Sequence, residues 1–262
     1  MTVAPRRRWL RFSLRTMMLL VAVVAVPLAG KFNRVRNQRA VVAEVADLNG
    51  QVIYDYQLGF KEPARQTVEP PGPRWLRELL GDDFFATVAR IDIEDVPVTG
   101  ATLALIATLP DLQQLGLTSN QINVTGLRHL AKLNKLEGLG LQSTSITDSS
   151  LAHLAELKGL KYLTLEGSLI TDSGLVQVAK LTQLEALELH ADTVTDDGLR
   201  PLAKLPNLNY LLIDCNHVTD AGLAHLHQMS NLKQLRLCHG LALDEAYEGL
   251  RKALPNCQVL QR

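Results

Sequence analysis

Leucine, or another aliphatic residue, returns along this chain at an interval of 24 residues. Frames beginning at Val88, Leu112, Leu136, Leu160, Leu184, Leu208 and Leu232 can be laid one on another without insertion until the last. In each frame apolar residues take offsets 0, 3 and 5, as at Leu136, Leu139 and Leu141 and again at Leu160, Leu163 and Leu165. Offsets 3 and 5 alternate with polar neighbours, the period of a strand with one buried face. An aliphatic residue follows at offset 10 (Ile122, Ile146, Ile170, Val194, Val218), then leucines at offsets 15, 18 and 21, such as Leu151, Leu154 and Leu157. Steps of three lay out one face of a helix. Between strand and helix stands Thr-Asp, at Thr147-Asp148, Thr171-Asp172, Thr195-Asp196 and Thr219-Asp220. Either side chain can accept from the open N–H groups of a helix start, and the carboxylate suits the positive end of the helix dipole. These residues are therefore expected to cap helices rather than to do chemistry.

One strand and one helix in 24 residues cannot bury their own apolar faces, so neighbouring units must stack into a solenoid. The pattern LxxLxLxxN/C followed by "ITDxGL" resembles the leucine-rich-repeat family, in its cysteine-containing, helix-bearing subclass. The resemblance covers Val88 to the C-terminus and implies an α/β fold, a right-handed solenoid with a parallel concave sheet and convex helices. It also implies a ladder of polar side chains at offset 8, where this chain has Asn120, Thr144, Ser168, Asp192, Asn216 and Gly240. All but Gly240 carry a short polar group able to bond loop backbone. The last frame keeps Leu232, Leu235 and Leu237, then shifts by one residue to Leu243, Leu250 and Leu254 before "LPNCQVLQR". That irregularity marks a terminal unit, with Cys257 and Val259 on a closing strand or cap.

The chain ahead of the repeats has another character. Arg6, Arg7, Arg8, Arg11 and Arg15 precede fifteen uncharged residues, Thr16 to Gly30, and Lys31, Arg34, Arg36 and Arg39 follow. As a helix the run reaches roughly 22 Å, short of the ~30 Å hydrocarbon core. With Phe12, Leu14 and Phe32 included, and Arg15 and Lys31 snorkelling to the headgroups, a span over about 12–32 is long enough to cross. A cleaved signal peptide, best cut after Val23-Val24-Ala25, and a buried globular helix are the other readings; the basic flank after the run favours a retained anchor. Basic residues nearly balance across the run, and the free amino terminus tips the orientation toward a cytoplasmic N-terminus with the repeats outside. The organisation expected is a basic N-terminus and single transmembrane helix (1–31), a juxtamembrane helix and N-terminal cap (32–87), and the repeat domain (88–262). Within the cap, Asn33 to Leu48 reads as a helix ended by Asn49-Gly50, "QVIYDYQ" as a strand, and "EPARQTVEPPGP" as a loop. "RWLRELLGDDFF" reads as a short helix with Trp75, Leu76, Leu79 and Leu80 on one face. The layout resembles bacterial single-pass proteins that carry a leucine-rich-repeat domain.

Lys+Arg and Asp+Glu both number 27, so nothing in the total argues for nucleic acid. Three cysteines, Cys215, Cys238 and Cys257, do not make a disulfide framework or a CxxC zinc site. There is no phosphate loop, GxSxG elbow or HExxH, and no cofactor is expected. Offset 6 does stack Glu166, His190, Asp214 and Cys238 about 4.8 Å apart on consecutive strands. Those types suit a metal or a nucleophile with its base, yet a straight column on an open face neither encloses a metal nor builds an oxyanion hole. The stronger reading is a binding face made of the side chains the core does not use. Tyr162 and Tyr210 at offset 2, Glu188, Leu212 and Arg236 at offset 4, and Glu166, His190 and Asp214 at offset 6 would combine apolar anchors with polar contacts. The function expected is a membrane-anchored module, not an enzyme, that binds a protein or peptide partner on its concave face. A structural spacer of the cell envelope is the alternative.

Overall fold

The computed structural model describes residues 14–58, 69–119, 122, 124–143, 145–167, 169–238 and 244–261. A long helix α1 (Leu14–Asp47) leads into β1 (Gln51–Tyr54) and a short helix α2 (Arg74–Leu80). Strands and helices then alternate: β2 (Val88–Glu94), α3 (Gly100–Ile106), β3 (Gln114–Thr118), α4 (Val124–Leu127), β4 (Gly138–Gln142), α5 (Asp148–Leu154), β5 (Tyr162–Glu166) and α6 (Asp172–Val178). They continue as β6 (Ala186–His190), α7 (Asp196–Leu202), β7 (Tyr210–Asp214), α8 (Asp220–Ala224), β8 (Gln234–Cys238), α9 (Asp244–Ala253) and β9 (Gln258–Gln261). Among the described residues nine strands join one sheet in chain order, with β1 antiparallel to β2 and every later pair parallel.

The 24-residue frame sets the register. Leu139 pairs with Leu163 and Leu163 with Leu187, so offset 3 meets offset 3 at every step. Offsets 3, 5, 10, 15, 18 and 21 are buried throughout the central frames, in a single core that runs the length of the stack. Each unit covers its neighbour's apolar flank, as stacked repeats must.

The helix starts show how one unit grips the next. Thr171 and Thr219 accept through Oγ1 from the N–H groups of Ser173 and Ala221, and Thr147 and Ser150 form a reciprocal capping pair. The aspartates point the other way along the stack. Asp148 accepts the N–H of Thr171 at 2.9 Å and its hydroxyl at 2.7 Å, Asp172 does the same for Thr195 and Asp196 for Thr219. Each carboxylate thus clasps the capping threonine of the following repeat. The glycine of "ITDxGL" completes the device, because a Cβ at Gly174, Gly198 or Gly222 would collide with the aspartate of the preceding repeat.

The loops depart from the expected ladder. Asp192 and Asn216, at offset 8, stand exposed and bond each other, Asn216 Nδ2 donating to Asp192 Oδ1 at 2.6 Å. The other four ladder positions lie outside the described residues. Offset 7 is buried in four frames, at Ser119, Ser143, Ala191 and Cys215, and exposed at Asp95 and Gly167; burial pushes the Cys215 thiol up to about 12. The backbone is tied at offset 9, where the Ser145 and Thr193 hydroxyls donate to the carbonyls of Ile122 and Ile170 one repeat back.

At the N-terminus, anchor and cap form one helix that runs through Pro27, where two segments were expected. Its second half is the cap: Val35, Val41 and Val45 are buried, and Gln38 bonds the Ala86 carbonyl, the Asp83 carboxylate and the Val88 N–H. Asp83 also accepts from Tyr54 Oη at 3.0 Å and Arg39 Nε at 3.3 Å. Burial, with that carboxylate beside it, raises the Tyr54 phenol. Asn49 ends the helix in the left-handed region at φ 53°, as the Asn-Gly pair predicts. Among the described residues no helix is long and apolar enough to cross a membrane. Residues 1–13 and the side chains of 14–17, 19–22 and 24, on which much of the expected span rests, lie outside them.

The face assigned to α2 is not buried: Trp75 is 67% and Leu79 73% exposed. The helix is held instead by polar contacts at its C-terminal end, where Arg39 Nη2 donates to the Leu80 carbonyl at 2.8 Å. At the far end α9 and β9 close the core with Tyr247, Leu250, Leu254 and Val259, and Cys257 packs against it half-buried, its thiol raised by burial.

Candidate functional site

The outward face of the sheet is built by the residues between the core leucines. Strand alternation sends offsets 2, 4 and 6 away from the helices, and the parallel register lines them up in three rows. The offset 2 row carries Arg90, Gln114, Gly138, Tyr162, Ala186, Tyr210 and Gln234. The offset 4 row carries Asp92, Gly116, Gly140, Thr164, Glu188, Leu212 and Arg236.

Tyr162 stands out from this face, 49% exposed, and Tyr210 is half-buried. Leu212, expected as an exposed contact, is only 7% exposed. It lies between Glu188 and Arg236 in the row, with Tyr210 two residues back on its own strand, so longer neighbours surround its short side chain. Glu188 and Arg236 are half-buried, and the Thr164 hydroxyl lies 3.4 Å from Glu188 Oε2.

Row 6 holds the column expected there: Glu166 pairs with His190, His190 with Asp214, and Asp214 with Cys238. Within it His190 Nδ1 and Asp214 Oδ2 are 3.1 Å apart, both side chains about 30% exposed. An imidazole held by a carboxylate is half of a nucleophile-activating arrangement, but among the described side chains no positioned nucleophile or oxyanion donors accompany it on this strand face; the Cys238 side chain lies outside them. Among the described residues no group of three or more His, Cys, Asp or Glu could hold a metal ion.

The feature that the sequence reading passed over lies at the other end of the face. Gly116, Gly138 and Gly140 leave a bare patch on β3 and β4, and a groove of about 330 Å³ opens there between Arg90 and Asp92 on one side and Tyr162 and Thr164 on the other. "QLGLT" and "EGLGLQ" carried the signal, because a strand glycine at an outward offset marks a place of close approach.

No family model matches this chain, and no curated protein matches it in sequence. Solved structures do match. Internalin C2 from Listeria monocytogenes superposes with a TM-score of 0.52 and 27% identity, over 66% of this chain and 70% of that one. This chain has the leucine-rich-repeat fold. Internalin F from the same organism agrees in fold, with a TM-score of 0.51 and 22% identity over 66% of this chain and 46% of its own. Both likenesses fit a repeat array of the extent that the 24-residue frame marks out. In the leucine-rich-repeat fold the rows at offsets 2, 4 and 6 line the inner, concave side of the array.

Proposed function

We propose that this leucine-rich-repeat protein is an interaction module that binds a protein partner on its concave face, without catalysis, and is held at a membrane by its N-terminal helix with the repeats outside the cytoplasm. The observation that carries the binding reading is the sheet face itself, an exposed tyrosine and half-buried charged groups in straight rows that the core does not need. Broad repeat surfaces of this kind suit macromolecules better than small substrates. The anchor reading draws on the apolar run with basic flanks and on α1, where Met18, Val23, Val26, Leu28 and Phe32 are exposed to solvent.

Cross-linking the intact protein in its own membrane identifies the partner and tests the site. Tyr162→Ala and Tyr210→Ala are each expected to weaken binding of the captured protein by roughly 1–3 kcal/mol with little loss of stability. Unchanged affinity in both variants would move the site to the helices or the cap. Leu212→Ala is expected to act on stability as well as binding, because its side chain is largely buried.

For the anchor, the full chain is expected to resist extraction from membranes by alkali and high salt. A shortened chain beginning at Lys31 is expected to be soluble and folded. The cut must fall before Val35 and Gln38, since both are buried in the cap. A native N-terminus found near Val26 would replace the anchor with a cleaved signal peptide.

A further inference from the structure

We propose that the concave face receives an extended, basic segment of the partner protein and seats one large apolar side chain of that segment in the glycine notch of β3 and β4. The inference rests on the concave-face reading above and adds the chemistry of what binds there.

The notch is not explained by the fold. A Cβ at Gly116 would come within 2.5 Å of the Asp92 carboxylate, so a side chain there would have to push Asp92 out of its ion pair with Arg90. Gly140 is different: a Cβ there would meet only the Gly116 Cα, at 3.9 Å, and at Gly138 only Gln114 side-chain atoms, at 3.4 Å or more. Neither residue has a positive φ. Glycine in a strand interior costs about 0.5–1 kcal/mol against a residue with a side chain, and here neither backbone nor packing asks for it. What the two glycines provide is space, floored by Leu115 and Leu139 and walled by the exposed ring of Tyr162. At about 330 Å³ the groove sits at the lower end of the size of ligand pockets, room for one or two side chains.

The charge around it selects the segment. No lysine or arginine stands on the outward positions of β3 to β6, whereas Glu166 and Glu188 do, and Glu94 lies on the neighbouring β2. Arg90, the cation that lines the groove, is already bound to Asp92 at 2.6 Å. An incoming chain therefore meets a field that favours cations. Glu188 lies on β6, two strand spacings from the notch on β4. Two spacings are about 10 Å, or roughly three residues of extended chain. The fitting segment places Lys or Arg about three residues from its large apolar side chain.

The test is selection of a random twelve-residue peptide library displayed on phage against the full chain in detergent. Enriched peptides are expected to share one Phe, Trp, Leu or Met with Lys or Arg about three positions away. Synthesised singly, they should bind Gly140→Leu and Glu188→Gln at least tenfold more weakly than the parent. Gly140→Ala, which meets no close atom, serves if the larger residue disturbs folding, with a smaller loss expected. Replacing the peptide's apolar residue by Ala should weaken binding to the parent but not further to Gly140→Leu. Acidic or uncharged peptides, indifference to Gly140→Leu, or no enriched sequence at all would overturn the proposal. Acidic peptides that still depend on Tyr162 would leave the concave-face reading standing. Peptides indifferent to Tyr162→Ala as well would defeat both.

Discussion

Leu165→Asp is expected to destabilise the protein by at least about 3 kcal/mol, and Thr164→Asp, one residue earlier on the same strand, by less than about 1 kcal/mol. The two changes introduce the same carboxylate into neighbouring positions of β5. Leu165 is fully buried at offset 5, paired across the sheet with Leu141 and Leu189, so a carboxylate there has neither water nor a cation to receive it. Thr164 faces outward beside Glu188, and its replacement loses the 3.4 Å hydroxyl contact with that carboxylate and adds the repulsion of two partly exposed like charges. Urea midpoints measured side by side decide the matter. Repeat arrays can unfold in parts, so the comparison belongs between the two variants rather than in one extrapolated free energy. Midpoints that fall alike would mean that the strand alternation is out of register, and every outward residue assigned from it would change faces.

The repeat was legible in the sequence because the same physical demand recurs seven times. Leucines at offsets 3 and 5 need a common inside, and a fixed interval keeps the inside continuous, so strand, helix and register followed from spacing alone. What was not legible depends on contacts between one repeat and the next. Thr-Asp read as two caps for one helix, whereas the aspartate reaches forward to the next repeat's threonine and so explains the glycine three residues later in that repeat. Burial of offset 7 instead of offset 8 is a matter of how the loop turns, which periodicity cannot specify. At the site, outward direction was readable but depth was not: Leu212 sinks among longer neighbours while Tyr162 rises beside glycines. The notch was missed because its signal, glycine at outward strand offsets, marks a close approach without offering a side chain to approach. The exposed Trp75 and Leu79 show the converse error, since an apolar stripe on a helix gives the direction of a face and not its partner.

The clasp supplies the second large effect, read as a reversal of sign. Asp172→Ala is expected to cost about 1–3 kcal/mol, because it removes the acceptor of the Thr195 N–H at 2.8 Å and hydroxyl at 2.7 Å in the next repeat. Gly198→Ala is expected to cost a similar amount by displacing that same carboxylate, even though alanine is the better helix former by about 1 kcal/mol. Once Asp172 is alanine that obstacle is gone, and the nearest remaining atom is Val194 Cγ1 at 3.0 Å, a contact that a small shift relieves. Gly198→Ala in that background is therefore expected to be neutral or stabilising, a coupling of more than about 1 kcal/mol in a double-mutant cycle. Additive effects would mean that glycine and aspartate act independently. The next clasp along carries a pH signature. Burial pushes the Asp196 carboxyl up, but the Thr219 hydroxyl, the Thr219 amide, the Gly222 amide and nearby His225 together outweigh it and hold the group below its usual range. A carboxyl depressed in the folded state stabilises fully above the unfolded value of about 3.9, and that contribution is lost as pH falls through the folded value. Melting temperatures from pH 5 downward should therefore drop further for the parent than for Asp196→Asn, which is less stable at neutral pH but has no proton to gain at this position; parallel curves would assign the acid sensitivity to other carboxylates.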